Sequence, residues 1–419
     1  MSKKLCWLVG LLFFLVGCGG GDGSSDLPPQ DAQTALRDEV FFLLKTHFLY
    51  PDRLPSTPDL FSTAQEVVDA VQDPFTRLVT AEGLSQLRQN LQGTFSGIGI
   101  TINLNRDTGE ITVVQVFEDT PAARAGLQPG DVVLAVDDVS TAGLALEEVA
   151  ARIRGEAGTP VTLLLRRDAE TFPVTIVREE IDIPSVTAQM LEITASSSGE
   201  TALIGYIQQT TFTATTLDQL SAALQAVEES GGQGIILDLR DNPGGRLDVA
   251  VEEADRFIPA HLSPETLPLL DSLGCAQGLE QAGVITRILD REETQNICVA
   301  DDFNGLTQTP YPPAELAVSL PLVILMNQNT ASAAELLIAA LKENSPPPTT
   351  TIGTRTFGKG LIQTIFTLSD GSGLIVTTQE FRTPTGEVIN EQGIFPDITS
   401  ETEDPLEVAL QFFSTMLGL

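Results

Sequence analysis

From about Ser185 to the end of the chain, apolar strands alternate with amphipathic helices, and this order restricts the possible folds more than any other feature. The runs "GIILDLRDN" and "PLVILMN" predict buried strands, whereas "LDQLSAALQAVEES", "RLDVAVEEADRFI" and "SAAELLIAALKEN" repeat apolar residues at helical spacing. Such alternation is typical of a layered α/β fold. We predict an α/β core over residues 183–419, interrupted by a Pro-rich, loop-like insertion over residues 259–316.

Two smaller units precede this core. Residues 31–93 predict a helical region because apolar residues recur at helical spacing, at Leu36, Val40, Leu43 and Leu44 and again at Leu84, Leu87 and Leu91. Residues 94–182 change to short strands and glycine turns, as in "FSGIGITINL", "GEITVVQVF" and "TPVTLLLRRD". The whole is therefore predicted to be an α/β (α+β) multidomain protein.

The middle unit resembles a PDZ domain, chiefly through the run "AGLQPGDVVLAVDD" and the apolar helix face that follows it. PDZ domains bind the C-terminal carboxylate of a peptide on loop N–H groups, while the peptide adds as a strand beside a helix. The resemblance assigns the carboxylate loop to Gly97, Ile98, Gly99 and Ile100. Taken alone, "GIGI" is better explained as a strand-edge turn, but the neighbouring run and helix favour the PDZ interpretation.

The N-terminus predicts export. Residues 1–17 combine the basic "MSKK" with the apolar "LCWLVGLLFFLVG", which is too short to span a bilayer comfortably. "LVGC" resembles a bacterial lipobox, so cleavage before Cys18 and lipid modification of its thiol are expected, with residues 18–30 as a flexible tether. Gly19 after the lipid cysteine favours the outer membrane by the same resemblance. The alternative is an ordinary signal that happens to contain a cysteine.

Two cysteines remain once Cys6 leaves with the signal and Cys18 carries the lipid. Because both lie in one segment of an exported chain, we predict a disulfide between Cys275 and Cys298. Free buried thiols are the alternative.

The charge and one glycine motif exclude two classes of ligand. A formal net charge of -34 argues against nucleic acid, because binding phosphates requires exposed Lys and Arg. Residues 353–359 satisfy the G-x-x-x-x-G-K of a phosphate-binding loop, but Gly360 stands where Ser or Thr would bind magnesium, and a strand pattern follows instead of a helix. We predict no metal and no cofactor.

Ser332, in "NQNTASAAELLIAAL", is the candidate nucleophile. Ser332 and Glu335 also fit an S-x-x-E capping box, a purely structural role. A helix N-terminus, however, offers free amides that can stabilise an oxyanion. The chain has only two histidines, His47 and His261, and neither lies in a setting that suggests a catalytic base.

Lys359, between two glycines in "GTRTFGKGLIQTI", is the candidate base. An amine accepts a proton only after its pKa has fallen far below the ordinary value of about 10.4. Gln363 is positioned to orient that amine. In an extended strand the two residues lie roughly 13 Å apart, so we expect a bend at Gly360. The alternative is a solvated lysine in a glycine turn.

Six segments together resemble the carboxyl-terminal processing (tail-specific) peptidases: "DPFTRLV", the PDZ unit, "IILDLRDNPGG", "NTASAAEL", "GTRTFGKGLIQT" and "TPTGEVINEQGIFPDI". The resemblance covers most of the chain from Leu36 to Ile398, apart from the insertion, and implies a serine endopeptidase with a crotonase-like core. It implies the catalytic residues Ser332, Lys359 and Gln363, with an oxyanion hole formed by Ala333 and a glycine of the pair Gly244 and Gly245. The sequence departs from the family in lacking a second serine directly after Ser332.

Two function classes follow. The first is a lipid-anchored peptidase of the periplasm that binds protein substrates by free, apolar C-termini. The second is a catalytically silent PDZ adaptor that uses the same groove. The presence of Ser332, Lys359 and Gln363 together favours the peptidase, because a scaffold needs none of them.

Overall fold

The computed structural model describes residues 29–105, 108–194, 199–258, 284–289, 294–298, 320–344 and 349–419. The predicted signal, the lipid site at Cys18 and most of the tether lie outside these residues. So do Cys275, the side chain of Cys298 and most of the predicted insertion, and the disulfide therefore stays a prediction. Across the described ranges, no helix combines the length and apolarity that crossing a membrane requires.

The N-terminal region is mainly helical, as predicted. Its elements are α1 (Pro29–His47), α2 (Ala64–Ala70), β1 (Arg77–Val79) and α3 (Ala81–Gln92). Helix α1 begins inside the range assigned to the tether, at a proline, the residue whose fixed φ suits a first helical position. Val40, Leu44 and Phe48 of this region are fully buried and pack against apolar residues of the core, which include Leu374.

The PDZ unit is a small antiparallel sheet covered by helices. Its elements are β2 (Thr94–Gly97), β3 (Ile100–Leu104), β4 (Ile111–Val116), α4 (Pro121–Arg124), β5 (Val132–Val136), β6 (Val139–Ser140), α5 (Leu146–Ile153), β7 (Pro160–Arg167), β8 (Glu170–Val177) and β9 (Glu179–Asp182). The strand order β3-β4-β5-β7-β8 leaves β3 at an edge of this sheet, and β2 pairs with β9 where the chain enters and leaves the unit.

The core contains a six-stranded sheet in the order β10-β11-β12-β15-β16-β19, parallel except for the β10–β11 pair. In chain order the core elements are β10 (Val186–Thr194), β11 (Thr201–Gln209), α6 (Thr216–Glu229), β12 (Gly234–Asp238), α7 (Leu247–Phe257), β13 (Val284–Leu289), β14 (Thr294–Cys298), β15 (Leu322–Met326), α8 (Ala333–Asn344), β16 (Thr349–Gly353), β17 (Leu361–Thr367), β18 (Gly373–Arg382), β19 (Ile398–Thr399) and α9 (Pro405–Leu417).

Alternation along the central strands divides the core into two apolar layers. Ile235, Leu237 and Ile324 pack in one cluster with residues of α6, α7 and α8. Ile236 and Val323, which point to the other face, pack with residues of α9. The predicted α/β layering is confirmed.

The described residues of the predicted insertion form two strands. Strands β13 and β14 pair as an antiparallel hairpin, and β13 also pairs with β18 of a second sheet. Residues 287–289 of β13 pair with β18, a strand far along the chain that local sequence does not reveal. Buried Ile288 joins the main core cluster.

Candidate active site

Three loops meet at one edge of the main sheet. Strands β12, β15 and β16 are parallel, so their carboxyl ends lie together, and each leads into a loop that carries a predicted site residue. Backbone hydrogen bonds join these loops. The N–H of Ala331 donates to the carbonyl of Asn242 at 2.9 Å, and the N–H of Phe357 donates to the carbonyl of Thr330 at 2.9 Å.

Ser332 is half-buried directly before α8, with a φ of +58° that places its backbone in the left-handed region. Its N–H donates to Oε2 of Glu335 at 2.9 Å, the glutamate half of the predicted capping box. The serine half is missing: within the described residues the hydroxyl makes no hydrogen bond to the helix. An N-cap residue normally has extended dihedral angles, and the left-handed turn aims this side chain elsewhere. A non-glycine residue in this region is strained, as is common at functional sites.

Glu335 joins the serine to the lysine loop. Its side chain is fully buried and accepts four hydrogen bonds. Oε1 accepts from the Thr356 hydroxyl at 2.5 Å and the Gly358 N–H at 2.7 Å. Oε2 accepts from the N–H groups of Ser332 at 2.9 Å and Lys359 at 2.8 Å. One carboxylate thus fixes the backbone of both candidate catalytic residues.

The environment of Lys359 lowers its pKa. Burial is the largest cause and the charge of Arg77 is the next, while the carboxylates of Glu335 and Asp73 act in the opposite direction. The ammonium nitrogen lies 5.1 Å from the centre of the Phe75 ring, a contact that also favours the charged amine. The net shift is towards the neutral amine that a general base requires.

The glycines on either side of Lys359 let two loops approach closely. A Cβ on Gly358 would lie 2.9 Å from the N of Gly393, and one on Gly360 would lie 2.6 Å from the N of Asn390. They allow the lysine loop to pack closely against the loop before β19, rather than against Ser332.

Gln363 reaches the site through an irregularity of β17. The register with β18 shifts between Ile362 and Gln363, two residues after the bend expected at Gly360. Such bulges re-aim side chains. The Gln363 amide donates to the carbonyl of Leu361 at 3.2 Å, and no hydrogen bond joins Gln363 to Lys359, or Lys359 to Ser332, in the described structure.

The two glycines of the predicted oxyanion hole differ. The N–H of Gly244 donates to Oδ1 of Asn242 at 2.9 Å and is therefore occupied. The N–H of Gly245 has no partner among the described residues, and neither does the N–H of Ala333 at the start of α8. A Cβ on Gly244 would lie 2.8 Å from Cβ of Ser332 and 2.9 Å from the N of Ala333, so only glycine fits there.

Ser332, Lys359, Gln363 and Gly245 line one cavity of about 330 Å³. The rest of its wall is mainly apolar, but it includes the charged side chains of Arg77 and Arg246. The apolar part is formed by Phe75, Leu87, Leu91, Pro243, Leu247, Leu361, Ile362, Ile365 and Ile375. The structure therefore brings together a hydroxyl, an amine of lowered pKa and a free amide beside an apolar surface. Among the described residues, no three His, Cys, Asp or Glu side chains converge as around a metal ion.

The predicted carboxylate loop lines a separate groove of about 480 Å³ between β3 and α5. The carbonyls of Ile98 and Gly99 accept hydrogen bonds from Ala122 at 2.8 Å and Phe117 at 3.0 Å. Their N–H groups, by contrast, have no partner within the described residues. Gly99 has a φ of +85°, and a Cβ there would overlap Thr120. This loop offers donors to an incoming acceptor.

Sequence reasoning missed the contributions of Phe75, Arg77 and Asn242, and it assigned Glu335 only a local role. The blocks "DPFTRLV" and "LRDNPGG" were noted as resemblances without a function for these side chains. The S-x-x-E pattern did indicate Glu335, but its contacts with the lysine loop join residues more than twenty positions apart.

Comparison with protein families gives two matches: peptidase family S41 over residues 203–400 and the PDZ domain over residues 112–167. A carboxyl-terminal-processing protease of Synechocystis sp. is 35% identical over 355 residues, which cover 84% of this chain and 73% of the relative. The carboxy-terminal processing protease CtpA of Bacillus subtilis is 31% identical over 339 residues, which cover 81% of this chain and 63% of that protein.

Two solved structures share the fold. A photosystem II D1 C-terminal processing protease is 26% identical, with a TM-score of 0.50 over 91% of this chain and 96% of the other. A putative S41 protease of Bacteroides fragilis, 16% identical, has a TM-score of 0.52 over 90% of this chain and 97% of the other, and supports the fold alone.

Replacing Glu335 by glutamine should destabilise the protein, because the new NH₂ group faces donors that need an acceptor. A hydrogen bond to a charged group contributes about 1.5–3 kcal/mol, so a loss on the order of 3 kcal/mol in the free energy of unfolding is expected. Urea unfolding measures it, with Glu228→Gln on the exposed face of α6 as the control. Equal stability of the two variants would show that this carboxylate does not hold the loops.

Proposed function

Because the chain belongs to peptidase family S41, among the carboxyl-terminal-processing serine proteases that carry a PDZ domain, we propose that Ser332 is its nucleophile and Lys359 its general base. The observation that carries this proposal is that Ser332 and Lys359 line the same cavity. Burial and the charge of Arg77 lower the pKa of the Lys359 amine. Catalytic hydrogen bonds often tighten only when substrate is bound, so the absent Ser332–Lys359 bond does not oppose it.

The geometry supports the following sequence of steps. Lys359 accepts the proton of Ser332 as Oγ attacks the carbonyl carbon of the scissile peptide bond. The oxyanion that forms accepts hydrogen bonds from the free N–H groups of Ala333 and Gly245. The Lys359 ammonium then protonates the leaving amine, and the C–N bond breaks. Lys359 next accepts a proton from water, whose oxygen attacks the acyl ester. The ammonium then returns this proton to Oγ as the ester bond breaks, which releases the acid product and restores the Ser332 hydroxyl and the neutral amine.

Gln363 supports this cycle as an orienting residue. Gln363 lines the same cavity as Lys359, and its Oε1 accepts no hydrogen bond within the described residues, so this oxygen is available to accept one from the amine. The Gln363 NH₂ already donates to the carbonyl of Leu361.

The serine–lysine assignment predicts that Ser332→Ala and Lys359→Ala each remove cleavage of a tailed protein substrate, by 10³-fold or more in kcat, on the order seen when a member of a catalytic unit is deleted. Lys359→Arg should fail as well, because a guanidinium stays protonated. Gln363→Ala should retain more activity. Circular dichroism and urea unfolding check that each variant is folded.

If the folded Lys359→Arg variant cleaves like the parent protein, the assignment is wrong. If instead the parent protein cleaves nothing but binds C-terminal peptides, the silent PDZ adaptor is the better description. The two functions share the groove and differ only at Ser332 and Lys359, so these results separate them.

We propose further that the PDZ groove selects substrates by a free C-terminus. The supporting features are the unoccupied N–H groups of Ile98 and Gly99 and the edge position of β3, which lets a peptide add as a further strand. The apolar side chains of Phe117, Leu146 and Ile153 line the groove and suit an apolar tail.

Amidation of the substrate's C-terminus should therefore lower kcat/KM at least about tenfold, since a hydrogen bond to a charged group contributes about 1.5 kcal/mol or more. A short peptide without the tail is the control, and its slower cleavage should not respond to amidation. Equal cleavage of the tailed acid and the tailed amide would contradict carboxylate recognition.

We also propose that a lipid on Cys18 anchors the peptidase to the outer membrane, facing the periplasm. The support is the sequence alone: the short apolar run, the "LVGC" motif and Gly19. The tether would let the enzyme reach protein substrates of the envelope.

Mass spectrometry of the mature protein should then find a diacylglyceryl-modified Cys18 at its N-terminus. Cys18→Ser should leave the precursor uncut or release a soluble chain, whereas Cys6→Ser, inside the apolar run, is the control and should not. An unmodified Cys18 in the mature protein would refute the anchor.

A further inference from the structure

A buried carboxyl of α7 lies behind the candidate oxyanion loop. Glu253 is fully buried, and its only hydrogen bond within the described residues is from Nε2 of Gln209, which donates to Oε2 at 2.9 Å. Gln209 closes β11 and is also fully buried. Two buried oxygens remain without a partner in this part of the molecule, Oε1 of Glu253 and Oε1 of Gln209.

One proton on the Glu253 carboxyl would give both oxygens a hydrogen-bond partner. An ionised Glu253 has only acceptor atoms, and so has Oε1 of Gln209. Both would then stay unsatisfied in the core, which is costly. A protonated Glu253 donates from Oε1 to Oε1 of Gln209 while it accepts from Nε2, and the two planar groups form a pair with two reciprocal hydrogen bonds.

The same glutamine holds the oxyanion loop. Its backbone carbonyl accepts from Nδ2 of Asn242 at 2.9 Å, and Oδ1 of Asn242 accepts from the N–H of Gly244 at 2.9 Å. This second bond occupies Gly244 and leaves the next amide, that of Gly245, facing the cavity. Movement of Gln209 would therefore disturb the amide assigned to the oxyanion.

We propose that Glu253 is a positioning residue: its neutral, protonated carboxyl pairs with Gln209 and so holds the oxyanion loop, and its ionisation sets the alkaline limit of activity. The part that concerns activity rests on the proposed peptidase function. The part that concerns protonation rests on the two unsatisfied oxygens alone.

The surroundings of Glu253 also favour its protonated form. Burial raises the pKa of Glu253 to about 8, against the smaller opposing effects of the Gln209 hydrogen bond and the charge of Arg256 on the same helix. The Arg256 guanidinium also contacts the Ser221 hydroxyl of α6. The other elements packed on α7 are α6, α8 and β13, and their described charged side chains do not contribute to this shift: Asp218, Glu228, Glu229, Glu335, Lys342, Glu343 and Arg287.

The proton on Glu253 makes the stability of the protein depend on pH. The folded protein keeps the Glu253 proton up to about pH 8, whereas the unfolded chain loses it near the ordinary glutamate value of 4.5. The stability that this proton contributes is complete below about pH 4.5 and is lost as the pH rises to about 8. Activity rises with pH as Lys359 loses its proton and falls as Glu253 ionises.

The direct test is the infrared spectrum of the full protein between pH 5 and 10, roughly spanning the ordinary and raised glutamate values. A carbonyl band of a protonated carboxylic acid should be present at neutral pH, disappear as the pH passes about 8, and be absent from Glu253→Gln. The wild-type titration needs no variant. The proposed protonation would be overturned if the wild type showed no such band at neutral pH. It would also be overturned if the band were lost in the neighbouring Glu252→Gln control instead of in Glu253→Gln.

Glu253→Gln tests whether ionisation of Glu253 sets the alkaline limit of activity, because an amide forms the same reciprocal pair with Gln209 but cannot ionise. This result is distinguishable from a failure of the proposed peptidase function. The kcat of the variant should lose the alkaline fall and keep the acid rise. The ratio of its unfolding constant to that of the wild type should change by about tenfold per pH unit between about pH 4.5 and 8. An unchanged alkaline fall would overturn the positioning role. A chain that cleaves nothing would refute the peptidase, while the infrared result would still decide the protonation.

Discussion

The carboxylate of Glu335 is the interaction on which the rest of the site depends. Removing a charge from water costs several kcal/mol, and here four donors offset it, three of them backbone N–H groups. Because those donors belong to two separate loops, the same bonds that satisfy the charge also set the spacing of Ser332 and Lys359. A shorter or neutral side chain at this position would leave both loops without their common anchor.

The site balances opposing electrostatic effects around Lys359. The Glu335 carboxylate, the Asp73 carboxylate and the Phe75 ring favour a charged amine, while burial and Arg77 favour a neutral one. Burial is the largest of these effects, and the net shift of the lysine pKa is downward. An anchor made of apolar residues would lower the pKa further but would give the loops no directional bonds.

Two fully buried glutamates of the core differ in the number of hydrogen bonds that they accept. Glu335 accepts four hydrogen bonds, which suits a carboxylate, whereas Glu253 accepts one from Gln209 and has an oxygen with no partner. Because both side chains are fully buried, the difference between the two glutamates comes from the groups that surround each carboxyl. The first glutamate positions the backbone of the two proposed catalytic residues, and the second is proposed to hold the loop that carries the Gly245 amide.

The sequence by itself determined the α/β order, the PDZ unit and three polar residues of the cavity, Ser332, Lys359 and Gln363, because periodicity and glycine placement act over short stretches of chain. It did not predict the β13–β14 hairpin, whose strand β13 pairs with β18 at residues 91 to 95 positions further along the chain, or the bulge that re-aims Gln363. It also left Gly244 and Gly245 equivalent. Only the tertiary structure separated them, since the choice depends on Asn242 occupying one amide and on Ala333 lying against the other loop. Contacts between distant loops are set by the packing of the parallel sheet, and no local pattern in the chain records them.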